Sequence, residues 1–440
     1  MKSLTVATTK TIITALTLLA MTLASNTAFA DSDNDYNNES GLLEESRPNN
    51  NTSNTSNTGI TSTGSTTRPL NFIVDKHYSM VVGSDLAQSA LWGYQLFDDS
   101  MISSTEGDTQ PQTMFARFGK SLIEYTLANW VMVAQHEWFG HGARAREFDL
   151  SNVHYKVRPY SGYTSFSQAQ YNQLTPAQKI ALTTGGMEST SLLASDLREN
   201  FLHGSAVDIR AAQLYVTSYL DQSLYVFGTS DSDTNLGNDI TSYISSVNAW
   251  QNINGATITK RNLRHRSNID FLDPFLFYSI FGIVNYIATG EQQYDFYMIP
   301  IAGFKYLPSF RNVLAPWGPE WQFNNYIKNP ADQLLYIGLR NGKTGNQLST
   351  AITVKISELL TWNNVYFDAR ADLWKQPNIK AVNLATAKSK LGLAAFSTAN
   401  FKLNSTMKIF GQLGYKTAGF IPGEALKSSL IARAGVGFSL

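Results

Sequence analysis

The 440-residue chain contains no cysteine, so disulfides, thiolate metal ligands and a lipidated N-terminal cysteine are excluded together. It is short of charge as well: Asp, Glu, Lys and Arg make up 15% of it, against about a quarter in ordinary globular proteins. What charge there is cancels, with 34 basic and 34 acidic residues, which leaves no electrostatic case for nucleic acid or another polyanion as partner. Glycine-rich phosphate loops, a serine nucleophile elbow and a dinucleotide fingerprint are also missing. The excess lies in aromatics, with 24 Phe, 21 Tyr and 8 Trp. Many rings and few charges suit a protein that contacts membrane or is rich in strands.

Composition changes along the chain. Lys2 and Lys10, the uncharged run Thr11 to Ala24 and the small-x-small triplet Ala28-Phe29-Ala30 have the order of a secretory signal. Residues 1–30 are therefore expected to be removed on export. Residues 31–67 are Asn, Ser, Thr, Gly and acid, with too little apolar surface to offset the entropy of ordering, and are expected to form a disordered leader.

The expected fold class is α+β, a helical unit over 68–290 followed by an antiparallel β region over 291–440. Helix-period apolar positions run through Leu86 to Phe97 and through Ala116 to Arg146, the latter as Phe118, Leu122, Ile123, Leu127, Trp130, Val131 and Val133. Thr175-Pro176 is a cap followed by a first-turn proline, predicting a helix to about His203. Ala206 to Phe227 and Phe271 to Thr289 are further helical stretches, nearly free of charge.

Beyond Gly290 the period becomes two. Val365, Phe367, Ala369, Ala371 and Leu373 alternate with Tyr366, Asp368, Arg370, Asp372 and Trp374. The pattern recurs around Ile352, around Ile409 and in the last strand, where Leu430, Ala432, Ala434, Val436, Phe438 and Leu440 share a face. Strands of about ten residues with one apolar and one polar face, closing at the C-terminus, resemble the transmembrane β-barrels of the Gram-negative outer membrane. That resemblance implies a closed barrel, membrane lipid as a partner and an outer-membrane location. A periplasmic protein whose sheet covers a core with one face is the other reading.

The chemistry is concentrated in Trp130-Val-Met-Val-Ala-Gln-His-Glu-Trp-Phe-Gly-His-Gly142. An acid and two imidazoles at the end of an apolar run must find partners or a metal if they are buried. His136-Glu137-Trp-Phe-Gly-His141 resembles the His-Glu-x-x-His motif of the zincin metallopeptidases with one residue added. The resemblance implies zinc held by His136 and His141, with Glu137 as general base on zinc-bound water. On a regular helix five residues make about 140° of net rotation, which turns the imidazoles apart.

Three geometries are open. A π-turn can absorb the extra residue, with Gly140 well placed to permit it. The helix can instead end at Gly140, or stay regular and offer Glu137 and His141 as the pair sharing a face. A catalytic zinc needs a third protein ligand, and Glu188 in Gly185-Gly-Met-Glu188 is the candidate, by likeness to the gluzincin branch. Glu199 and His203, about three turns further along that helix, are candidates for supporting or second-metal ligands. Arg144 and Arg146 either complement a helix end or hold an anionic substrate group.

Two functions follow as expectations. One is a zinc-dependent hydrolase, foremost a peptidase, at the outer membrane. The other is a barrel or surface protein without catalysis, whose histidine cluster is structural.

Overall fold

A computed structural model of the chain describes residues 69–101, 105–251 and 258–439. The expected signal segment and leader lie outside the described residues, as does Leu440. A short strand β1 (Pro69–Val74) leads into α1 (Met80–Met101) and α2 (Pro111–Ala134), the second opened by a proline in its first turn. The backbone then passes without a break through a π-helical turn, Gln135–His141, into α3 (Gly142–Glu147). A small hairpin, β2 (His154–Val157) with β3 (Gly162–Ser165), and α4 (Gln168–Gln173) follow.

The long α5 (Pro176–Gly204) starts at a reciprocal cap between Thr175 and Gln178 and ends where Ser205 turns left-handed. The short β4 (Ala206–Asp208), then α6 (Ile209–Gly228), α7 (Asp239–Gln251), α8 (Lys260–Ser267) and α9 (Pro274–Thr289) complete the helices. Asp273 caps α9 by accepting from the amides of Phe275 and Leu276, and Gly290 at φ 86° terminates it. Among the described residues no single helix is long and apolar enough to cross a membrane.

The remaining strands are β5 (Gln293–Asp295), which pairs with β4, and then β6 (Ile299–Ile301), β7 (Phe304–Ala315), β8 (Gly318–Lys328), β9 (Leu334–Thr344), β10 (Gln347–Trp362), β11 (Val365–Pro377), β12 (Ser389–Lys402), β13 (Met407–Lys416) and β14 (Ser429–Ser439). From β6 to β14 each strand pairs antiparallel with the next, and β1 joins the far side of β14, giving a ten-stranded sheet in the order β1-β14-β13-β12-β11-β10-β9-β8-β7-β6. The expected closed barrel is corrected here: β1 and β6 are free edges and the ladder does not close. The expected division at residue 290 also hides one link, because β1 at the head of the helical part is hydrogen-bonded to the last strand, Phe72 opposite Val436.

The sheet is polar on the face turned toward the helices. Arg311, Glu320, Arg340, Asp372, Gln376, Lys416 and Arg433 are all buried there. The alternate residues, among them Leu339, Ile352, Leu373, Leu393, Ile409, Leu413 and Leu430, are exposed. Helix α5 lies against the polar face: Glu199 meets Lys355 at 2.5 Å, and Arg198 bonds Ser309. The apolar core sits among the helices, where Leu193, Leu197, Tyr215, Tyr219, Phe275 and Ile283 form one cluster. Each such side chain contributes about 1.5–3 kcal/mol on burial.

Candidate metal centre

The extra residue of the His-Glu motif is absorbed by the π-turn. The amide of Gly142 donates to the carbonyl of Glu137, an i to i+5 bond. In such a turn residues five apart come to lie over one another, and the His136 and His141 ring centroids are 5.0 Å apart. Gly140 has a further task. A Cβ there would lie 2.5 Å from Gly186 Cα, and one at Gly186 would lie 2.1 Å from His136 Nε2. Glycine on both sides therefore lets the π-turn and α5 touch backbone to backbone, with the imidazole filling the space that an alanine at 186 would take.

Each imidazole is held by its Nδ1. His136 Nδ1 donates to Asp221 Oδ2 at 2.9 Å, and that oxygen also accepts from Thr190 Oγ1 at 2.7 Å. His141 Nδ1 donates to the carbonyl of Leu182 at 2.7 Å. A carbonyl only accepts, so the His141 Nδ1 carries a proton; the Asp221 carboxylate imposes the same on His136. Both Nε2 atoms then face one oxygen, Asp239 Oδ2, at 3.3 Å from His136 and 3.1 Å from His141.

Two imidazole lone pairs aimed at a carboxylate oxygen repel unless positive charge lies between them. That charge is either a second proton on each ring or one metal ion. Tetrahedral zinc, with bonds of about 2.0–2.1 Å, sets its ligand atoms roughly 3.3 Å apart, close to both observed separations. His136, His141 and Asp239 are the group of candidate ligands found among the described residues, their ligand atoms all within 4.8 Å of one another. Held Nδ1 atoms, one on a carboxylate and one on a backbone carbonyl, are the usual support of metal-bound histidines.

Without a metal the same geometry favours protons. Burial works to lower both imidazole pKa values, but Asp221 and Asp239 outweigh it and hold His136 well above its ordinary value, and Asp239 raises that of His141. Burial works to raise the Asp239 carboxyl, and the two imidazoles reverse that, holding it well below the usual carboxylate range.

The cluster forms one wall of a cavity of about 550 Å³. Glu137 lines it too, with Oε2 accepting from Thr164 Oγ1 at 2.6 Å. Met132, Val133, Phe166 and Leu224 give it an apolar side. Tyr225 sits beside His136, ring centroids 6.4 Å apart, and its hydroxyl accepts the amide of Asp239 at 3.1 Å.

Neither a family model, nor a curated protein, nor a solved structure matches this chain.

The other expected site residues are elsewhere. Glu188, expected as third ligand, lines a separate cavity of about 120 Å³, and its carboxylate is taken by Arg144, at 2.5 Å to Oε1, and by the amide of Gly423. An acid there is matched to a buried guanidinium rather than to the imidazole pair. Glu199 faces Lys355 on β10, and His203 is exposed near the end of α5, so the structure does not bring either to the cluster. Arg144 is buried between Glu188 and Glu147, and Arg146 donates to the carbonyls of His77, Tyr78 and Trp138.

Sequence reasoning missed Asp221, Asp239 and Tyr225. Asp221 was open to detection as the one charge between Arg210 and Asp231 in an apolar helix. Asp239 follows a polar loop and stands in the first turn of α7, where an acid is expected for the helix dipole alone.

Proposed function

We propose that the chain is a zinc-dependent hydrolase, a peptidase first among such enzymes, that works at the bacterial outer membrane. The observation that carries this reading is the convergence of the two Nε2 atoms on one Asp239 oxygen, at 3.3 and 3.1 Å, on the wall of a cavity. Zinc bound there would polarise a scissile carbonyl and lower the pKa of a bound water.

The roles of the chain's own groups follow from their surroundings. His136, His141 and Asp239 would hold the ion, and Asp221 and the Leu182 carbonyl fix the two rings. Glu137, in the same turn and the same cavity, is the proton acceptor, oriented by Thr164. Tyr225 accepts a hydrogen bond from Asp239 and so keeps its own proton to donate, which suits it to steady negative charge developing on the substrate oxygen. The peptidase choice rests on the likeness to the zincin motif, with Asp239 in the place of the expected glutamate.

Membrane association is supported by the inverted polarity of the sheet, with charges facing the helices and aliphatic side chains facing out.

The test is metal content by mass spectrometry, paired with hydrolysis of a peptide library. One zinc per chain is expected, with Glu137→Gln keeping the zinc and losing about 10²–10⁴ of the rate. Tyr225→Phe should keep both zinc and KM while lowering kcat. Protein without metal after purification in zinc, or an unchanged rate in Glu137→Gln, would defeat the proposal in favour of a structural His–Asp cluster.

A further inference from the structure

The two free edges of the sheet are not far-flung ends. From β1 the chain packs directly into α1. Helix α1 is tied to α2 by Lys120, whose Nζ lies 2.8 Å from Asp98 and 3.3 Å from Glu124. Arg117 on α2 donates to the carbonyl of Ala288 at the end of α9, and Lys120 stacks over Tyr286 of α9 at 5.2 Å. Tyr278 on α9 then donates to the carbonyl of Tyr297, two residues before β6. The circuit β1, α1, α2, α9, β6 therefore spans the opening that hydrogen bonding leaves in the sheet.

Two of these helices, α1 and α2, bury charged side chains and expose large apolar ones, as the strands do. A surface helix in water buries its apolar stripe and exposes its charges. On α2 the polar residues Arg117, Ser121, Glu124 and Asn129 are buried beside Tyr125, Ala128 and Val133, while Phe115, Ile123 and Trp130 are 76%, 63% and 51% exposed. On α1, Ser84, Gln95 and Asp98 are buried beside Met80, Val82 and Ala87, and Leu86, Leu96 and Phe97 are exposed. Helix α9 is apolar on both sides, burying Phe275, Leu276 and Ile283 and exposing Phe277 and Phe281, one turn apart. Across the sheet the exposed set continues through Leu413 and Leu430, at 65% and 77%.

We infer that α1, α2 and α9 are lipid-facing staves which complete, with the outer face of the sheet, one apolar wall around the charged interior. This rests on the membrane reading above and extends it to elements that are not strands. A protein partner or a second copy would cover one patch of surface. A band that passes from strands to helices and back fits a medium that surrounds the molecule, namely the hydrocarbon of a bilayer. Its height agrees: Phe115 to Trp130 spans about 22 Å of helix at 1.5 Å per residue, near the roughly 25 Å apolar band of outer-membrane proteins.

The wall also sets the level of the metal centre. His136 lies six residues beyond Trp130, about 9 Å further along the same backbone. Exposed aromatics mark that level, Trp138 in the π-turn and Tyr160 and Tyr163 at the cavity, as expected for rings at the membrane–water boundary. The mouth of the cavity opens at the height of the lipid headgroups.

Because the chain has no cysteine, a single introduced thiol can be spin-labelled without background. Phe97→Cys, Ile123→Cys and Phe281→Cys report the helices, Leu373→Cys and Leu413→Cys the sheet, Trp138→Cys the level of the cavity mouth, and Asn172→Cys an exposed polar position. The full mature protein would be placed in phosphatidylethanolamine/phosphatidylglycerol vesicles, and relaxation by oxygen compared with relaxation by a water-soluble nickel chelate.

Helix and sheet labels should share an oxygen-to-nickel ratio several-fold above that of position 172, with depth decreasing from Ile123→Cys to Trp138→Cys. Lipid-like sheet labels with water-like helix labels would overturn the helical wall and leave the membrane reading standing. Water-like labels throughout would overturn both. Helix labels shielded from both reagents would mean that protein covers them, and would equally sink the proposal. Equal depth at 123 and 138 would overturn the placement of the cavity mouth.

Discussion

Two of the places where the molecule buries ionisable groups are built differently. Between α5 and the inner face of the sheet, charges meet opposite charges: Glu188 with Arg144 at 2.5 Å, Glu199 with Lys355 at 2.5 Å, Arg340 with Glu320 at 3.1 Å and Arg433 with Glu424 at 3.0 Å. At the π-turn, two imidazoles whose donors are already committed present acceptors to a further acceptor. Burial of charge is common to both. What separates a candidate centre from a structural layer is a set of groups that agree only when added positive charge, a second proton on each ring or one metal ion, stands among them.

The largest test of that contrast removes one acid from each place. Asp239→Ala should abolish zinc binding and hydrolysis together, because it deletes the oxygen on which both Nε2 atoms converge. Glu188→Gln should keep zinc at one per chain, since its carboxylate belongs to Arg144. Metal analysis of both purified variants checks this, and loss of zinc from Glu188→Gln alone would reverse the assignment.

Next in size is Arg144→Ala. It leaves Glu188 buried without its guanidinium and should cost about 3–5 kcal/mol of stability, read from thermal or urea unfolding in detergent. The double variant Arg144→Met with Glu188→Gln should recover much of the loss, because the fully buried Glu188 charge is removed with its partner and only the half-buried Glu147 loses a guanidinium. Zinc stoichiometry should hold in every variant that folds.

Asp221→Asn ranks third. Asparagine can still accept from His136 Nδ1, so the ring stays in place while the charge behind it is lost. Zinc affinity should fall about 10–100-fold, measured by competition with a chelator, with the unfolding midpoint of metal-free protein lowered as well.

How much of this was legible in the sequence depends on the range of the signal. Local patterns were readable: the cap at Thr175, the helix period through Trp130, and the strand alternation around Phe367 all appear where expected. The spacing of His136 and His141 posed the π-turn as a question, but backbone dihedrals had to answer it. Long-range partners were not readable. Six residues at Pro69–Val74 are too few to announce a strand, and their partner is the far end of the chain. Glu188 looked like a ligand because nothing near it in sequence shows that Arg144 neutralises it. The period-two pattern gave the two faces of the sheet correctly, yet alternation says nothing of whether the two edge strands meet. Here β1 and β6 do not pair.

The smallest expected effect is on pH, because burial opposes the carboxylates at both imidazoles. Their pKa values are raised in the folded, metal-free protein, so folding takes up protons. The stability they contribute is then fully present below the ordinary histidine value of about 6.5 and is lost as pH rises through the raised values. Zinc changes the sign of the dependence, since it needs both Nε2 atoms free of protons and so binds better as pH rises. Unfolding midpoints of metal-free protein should therefore decline above about pH 6.5, those with saturating zinc should not, and His136→Ala should remove most of the difference. Parallel curves with and without zinc would show that no cation takes the place of the protons, and the contrast between the two buried charge sets would disappear.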